Sequence, residues 1–350
     1  MPRRGEPACR LPPPPSSRKI VQDRAARGQA GVPARIIVQE SVLSYHLHLR
    51  EEPSLRGIVN PIVPGFYADP EARTYEGRHW IYVTRSITEY TKQMNLDAFS
   101  SEDLVTWEKH DGIIAMEDFP WVWRAVWAPT IIESKGRYYL VFASNDIQND
   151  DETGGLEIAV SDTPEGPFRG YLGKPLVDRF IHGAQPIDAH LFKDDDGTIY
   201  LYYGGWSHCN VAKMNDDLTG FAPFENGELH LSITPQGYVE GPCMVKKDGL
   251  YYFMWSKGGW TNGTYSVDYG VSESPLGPFA PKGTVLQRQE PVAEGPGHHG
   301  YLHLPETDEW LIVYHRRIIG DRDPGSRVLC IDRMDIGDGV IRPVTMTNAW

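Results

Sequence analysis

The chain has 350 residues and a formal charge of −13, from 34 Lys and Arg against 47 Asp and Glu. That balance argues against nucleic acid as a partner, because phosphates need a basic face, and no apolar run approaches the length of a membrane span. Ten Trp, 18 Tyr, 35 Gly and 28 Pro supply large half-buried side chains and many turns, an all-β composition.

Residues 1–55 stand apart from the rest. Met1 to Arg35 is rich in Arg and Pro, including Pro12 to Pro15, and contains no apolar segment of the kind a secretory signal needs. The stretch reads as a disordered or poorly defined N-terminal extension. Within its last third, Ile36-Ile37-Val38 has the character of a strand that closes or packs on the following domain. Cys9, Cys209, Cys243 and Cys330 show no zinc-type spacing and leave the redox compartment open.

From residue 56 to 350 the chain repeats itself. Aromatic strands occur at Trp80-Ile81-Tyr82-Val83, Tyr138-Tyr139-Leu140-Val141, Ile199-Tyr200-Leu201-Tyr202, Tyr251-Tyr252-Phe253-Met254 and Trp310-Leu311-Ile312-Val313-Tyr314. Their spacing of roughly 50 to 60 residues is a period of propellers or arrays. A turn echoes between units, Ser161 to Phe168 recurring as Ser272 to Phe279. Several short strands and one turn per unit make a four-stranded blade, so the expectation is a single five-bladed β-propeller over 56–350.

Eleven or twelve residues before each aromatic strand stand Asp69, Trp127 with Ala128, Asp188, Glu240 and His298. Blades are related by rotation, so equivalent positions of the innermost strands face one central channel. Alone, Asp69 before Pro70 would be an ordinary turn residue or cap. Three acidic residues at one repeat phase in apolar surroundings are too costly to bury without a purpose. Glu240, between Tyr238, Val239 and Met244, is expected to have a raised pKa, as a general acid needs. Trp127 offers a flat face for a sugar ring, whereas Trp121 and Trp123 fit core and mouth equally well. His190 reads as a satisfied structural histidine, and of the adjacent pair His298 and His299 only one can face the channel.

Two carboxyl groups flanking a sugar, one ionised and one protonated, are the apparatus of glycoside hydrolysis. Glu240 as proton donor, Asp69 as base on a water, and Asp188 raising the pKa of Glu240 by like-charge repulsion and orienting it would complete that apparatus. Tyr67-Ala68-Asp69-Pro70, Trp127-Ala128-Pro129, Ile187-Asp188, Glu240-Gly241-Pro242 and Gly297-His298-His299, in this order from about Asn60 to Val344, resemble glycoside hydrolase family 43. The resemblance implies an inverting hydrolase of arabinose- or xylose-containing plant polysaccharides, with Asp69 as general base, Asp188 as pKa modulator and Glu240 as general acid. It implies sugar contacts from Arg316, Trp127 and Phe66. It also implies no required cofactor, with a structural calcium beside His298 in the channel as an option. Thr130 departs from the Asp that the family usually has after Trp-Ala-Pro.

The partner expected from the resemblance is a carbohydrate: arabinan, arabinoxylan or derived oligosaccharides. The stretches Trp206 to Asn210 and Tyr314 to Arg317 look more like arabinofuranosidase branches, which favours exo release of terminal α-L-arabinofuranose. A β-D-xylosidase or an arabinan hydrolase is the alternative within the family, and a non-catalytic glycan-binding propeller the alternative of another class. Arg322-Asp323-Pro324 imitates a motif of a retaining, fructan-cleaving clan but falls out of phase with the inner strands. An extracellular location would suit this substrate class, and no signal peptide is visible, so localisation is left open.

Overall fold

The structure is a computed structural model and describes residues 57–348. The expectations for residues 1–55, including a strand at Ile36-Ile37-Val38, lie outside the described residues. Five antiparallel sheets are each wound outward from an inner strand. Blade one runs Tyr67–Tyr75, Arg78–Arg85, Leu96–Ser101, Glu108–His110, and blade two Trp127–Ser134, Arg137–Ser144, Gly155–Ser161, Arg169–Gly170. Blade three runs His190–Lys193, Ile199–Tyr203, Asn210–Met214, Phe221–Ala222, with His230–Ser232 also paired to Asn210–Met214. Blade four is Glu240–Lys247, Leu250–Lys257, Ser266–Ser272, Ala280–Leu286, and blade five has three strands, Glu294–Leu304, Glu309–Arg317, Arg327–Arg333. The fold is the expected all-β, five-bladed propeller. Among the described residues no helix is long and apolar enough to cross a membrane.

The aromatic repeat is the second strand of each blade, and its residues are large because both faces are covered. Trp80 and Tyr82 point toward blade two and pack with Leu140 and Phe142, while Ile81 and Val83 point the other way, onto Leu311 and Val313 of blade five. The other blade boundaries are filled alike, by Val141 with Leu201, by Tyr202 with Phe253, and by Met254 with Ile312. The core is thus a ring of wedges between sheets, and the hydrophobic burial that holds it is shared by neighbouring blades. The recurring turn ties blades together. Tyr82 donates its hydroxyl hydrogen to Pro164 O at 2.7 Å, and Tyr202 repeats this on Pro275 O at 2.8 Å.

Blade five lacks a regular fourth strand, and the segment just before blade one closes its edge. Ile62 N donates to Leu329 O at 3.0 Å, and the buried Asn60 amide exchanges hydrogen bonds with the backbone of Ile331 at 2.8 and 2.9 Å. Asn60 also donates to Thr347 Oγ1 at 3.0 Å, so both ends of the propeller meet at one clamp.

Four of the five inner strands are interrupted at the same depth. The register shifts by one residue between Ala68 and Glu71, Trp127 and Thr130, Glu240 and Cys243, and Gly297 and His299. The residue at this depth is left-handed in every blade: Asp69 (φ 50°), Ala128 (47°), Asp188 (54°, just before the inner strand of blade three), Gly241 (62°) and His298 (32°). Side chains other than glycine hold this conformation at a cost on the order of 1–3 kcal/mol each, and bulges of this kind re-aim a side chain beside a functional site. One sequence expectation needs correction here. Glu240 is not in phase with Asp69 and Asp188 but one residue earlier, level with Trp127, because the bulge in its strand falls on Gly241.

Candidate active site

The bulges point their side chains into a cavity of about 260 Å³ at one end of the channel. Asp69, Trp127, Asp188, Glu240 and His298 all line it, together with Arg327, Tyr265, Trp260, Tyr90, Asp146, Gln185 and Trp206, which sequence reasoning did not assign to it. The backbone N–H of a bulge is bonded to a side chain of the preceding blade in three cases. Ala128 N donates to Thr84 Oγ1 at 2.9 Å, His298 N to Ser256 Oγ at 3.0 Å, and Asp69 N to His315 Nδ1 at 3.2 Å. These bonds satisfy donors that the interrupted ladder leaves over.

The carboxyl groups are held in different states. Burial alone would raise Asp69, but the Arg327 guanidinium, with Nη1 3.2 Å from Oδ1, followed by His298 and His315, outweighs it and holds the group at about 2. Glu240 moves the opposite way, to about 7, through burial first and the Asp188 carboxylate second, against a hydrogen bond from Tyr265. His298 lies between the two aspartates, with Nδ1 3.3 Å from Asp188 Oδ2 and 3.7 Å from Asp69 Oδ1. Burial opposes its charge, yet the two carboxylates prevail and raise it to about 9. Near neutral pH the cavity therefore holds Asp69 ionised, Glu240 able to carry a proton, and an imidazolium at His298.

Two residues expected at the site are elsewhere. Arg316 is buried against the C-terminal segment, with Nη1 donating to Thr347 O at 2.7 Å and Nη2 to Asn348 Oδ1 at 3.2 Å. The reason is strand alternation. His315 faces Asp69, so its neighbour must face away. The arginine of the cavity is Arg327, whose Nε donates to Ser86 Oγ at 2.9 Å and whose guanidinium lies 5.1 Å from the Trp260 ring centre. Phe66 does not line the cavity. It is 46% exposed just before the inner strand of blade one, which begins at Tyr67.

Below the cavity the channel is filled. Glu71 is ion-paired with Arg73 and accepts from Thr130 Oγ1 at 2.9 Å, with His190 Nδ1 3.1 Å away. Arg73 also donates to Leu191 O at 2.9 Å. Thr130 and His190 thus belong to a buried support layer that spans three blades. This donor set does not fit the calcium considered beside His298. The channel beneath carries the Arg73 cation, and among the described residues no three His, Cys, Asp or Glu are grouped to hold a metal ion.

A comparison with known families matches residues 58–341 to the model for glycosyl hydrolases family 43. The chain belongs to glycosyl hydrolase family 43. A β-D-galactofuranosidase, xynD, of Aspergillus niger is 43% identical over 303 residues, covering 82% of this chain and 85% of that protein. Xylosidase/arabinosidase 43A of Humicola insolens is 30% identical over 313 residues, covering 73% and 89%. Among solved structures, a thermostable family-43 glycoside hydrolase superposes with a TM-score of 0.71 at 27% identity, covering 83% of this chain and 97% of that one. An α-L-arabinofuranosidase of Clostridium thermocellum gives 0.65 at 28% identity, covering 80% and 94%. The family 43 propeller is accordingly a glycoside hydrolase, and its partner is a carbohydrate.

Proposed function

We propose that this family 43 enzyme is an inverting, exo-acting furanosidase that removes terminal α-L-arabinofuranosyl residues and the related β-D-galactofuranosyl residues. The observation that carries the reading is the pair of carboxyl groups in opposite states on one cavity, Asp69 beside Arg327 and Glu240 beside Asp188. Glu240 gives its proton to the glycosidic oxygen, the bond from that oxygen to the anomeric carbon breaks, and Asp69 takes a proton from the water attacking the opposite face. Asp188 keeps Glu240 protonated and holds His298, while Trp127 and Arg327 contact the sugar.

The furanose choice is supported by the relatives. One at 43% identity bears the name of a galactofuranosidase, and others are named for arabinofuranose or for both pentoses. α-L-Arabinofuranose and β-D-galactofuranose share their ring configuration and differ only in the exocyclic arm, so one pocket can accept both. A cavity of about 260 Å³ takes about one sugar ring, which favours cleavage from a chain end. Its wall carries Asp146 and Gln185, bonded to each other at 3.0 Å, as polar partners for the exocyclic hydroxyls.

Aryl α-L-arabinofuranoside, β-D-galactofuranoside and β-D-xylopyranoside, assayed side by side, test the reading. The furanosides are expected to exceed the xyloside in kcat/KM by at least about tenfold, the scale on which fit to a pocket discriminates. A preference for the xyloside would overturn the furanose assignment. Binding without cleavage of any of them would favour a glycan-binding propeller.

A further inference from the structure

The acid is held by a residue that no repeat position announces. Tyr265, 1% exposed, donates its phenolic hydrogen to Glu240 Oε1 at 2.8 Å. Its ring lies parallel to the imidazole of His315, with centroids 5.8 Å apart and planes 9° apart. That imidazole in turn accepts the backbone N–H of Asp69. The Cδ1–Cε1 edge of the phenol ring is pressed against Gly297, where an added Cβ would fall 2.1 Å from Tyr265 Cε1. The ring is thus clamped beside a glycine and an imidazole, and its hydroxyl meets Glu240 Oε1, with Ser256 as a further hydrogen-bonding neighbour. Burial and the neighbouring carboxylates raise the phenol well above its ordinary range, so of the two groups it is the tyrosine that donates.

We propose that Tyr265 is a positioning residue for the proton transfer: by occupying Glu240 Oε1 it leaves Oε2 as the oxygen that carries and delivers the proton. The proposal rests on the reading of Glu240 as the acid. As the proton passes from Oε2 to the glycosidic oxygen, the electron pair of the breaking bond stays with that oxygen and Glu240 becomes a carboxylate. A hydrogen bond to a carboxylate is stronger than one to a neutral acid, so the Tyr265 bond tightens as the transfer proceeds. Its contribution therefore appears in the transition state and not in the binding of substrate. Asp188, His298 and Asp69 are the other charged groups around Glu240, and they remain in place when only the phenolic oxygen is removed.

The test is Tyr265→Phe, which keeps the clamped ring, assayed beside Glu240→Gln. Phenyl and dinitrophenyl α-L-arabinofuranosides serve as substrates, the first needing a proton on its leaving group and the second not. For Tyr265→Phe, kcat on the phenyl glycoside is expected to fall on the order of tenfold to a hundredfold, the effect of one hydrogen bond to a charged group. KM and the rate on the dinitrophenyl glycoside stay near wild type, and the basic limb of the pH profile moves upward. An equal loss on both glycosides, or an unmoved basic limb, overturns the proposal even while Glu240→Gln keeps its dependence on the leaving group. If Glu240→Gln itself shows no such dependence, the acid assignment falls, and the role of Tyr265 falls with it.

Discussion

Glu240→Gln is expected to lower kcat/KM on a phenyl furanoside by roughly a hundredfold to ten-thousandfold, the range over which a positioned acid acts. The amide matches the carboxyl group in size but has no proton to give. Phenolate leaves slowly without one, whereas dinitrophenolate is stable enough to leave alone, so the loss on the dinitrophenyl glycoside should be smaller by at least about tenfold. The pH profile carries the same information. The wild-type rate requires Glu240 protonated, and with its pKa at about 7 the rate falls as pH rises through that value. Asp69, at about 2, is already ionised across the working range and sets only the far acidic limb. In Glu240→Gln the limb near 7 should vanish. Equal loss on both glycosides, or a basic limb that survives, would contradict the assignment.

Asp69→Asn is expected to remove turnover altogether, by at least about a thousandfold on both glycosides, because attack by water needs a base whatever the leaving group. The amide cannot accept the proton, and of the other aspartates lining the cavity Asp188 is engaged with His298 and Asp146 with Gln185. The pocket itself remains. Trp127, Trp260 and Trp206 line it and give a fluorescence signal for bound sugar, so the dissociation constant for arabinose or galactofuranoside product should change by no more than a fewfold. Turnover at near wild-type rate would end the role proposed for Asp69. Loss of turnover together with loss of binding would instead make it a binding residue.

How much was legible in the sequence follows from where the constraint is local. The second strand of each blade is covered on both faces, which forces large apolar residues at a regular interval and makes five blades countable. The bulges at Asp69-Pro70, Ala128-Pro129 and Gly241-Pro242 are each followed by a proline, so the channel positions carry a local mark. The mark is accurate only to one residue, which is why Glu240 was placed level with Asp69. His298 lines the cavity, whereas His299 is buried outside that lining, with His298 and His190 as its neighbours.

What the sequence hid depends on contacts between distant segments. Arg327 opens a strand without aromatic residues, and nothing in its neighbours distinguishes it from Arg316. Its place is set by the face it shares with Ser86 and Asp69, some 240 residues earlier in the chain. Tyr265 and Trp260 are brought to the cavity by a loop of irregular conformation, and Tyr265 needs the absence of a side chain at Gly297. An acidic turn such as Asp194-Asp195-Asp196-Gly197 is ordinarily a solvated hairpin tip. Its first carboxylate is in fact buried, held by Lys246 Nζ at 2.5 Å and Tyr251 OH at 2.6 Å from the next blade.

The most direct test of the account is the configuration of the first sugar released, followed by proton NMR from a dinitrophenyl α-L-arabinofuranoside before the anomers equilibrate. With Asp69 activating a water opposite the departing group, the first anomer formed is β-L-arabinofuranose. Initial appearance of the α anomer would show retention, turn Asp69 from base into nucleophile, and contradict the single-displacement mechanism proposed for this cavity.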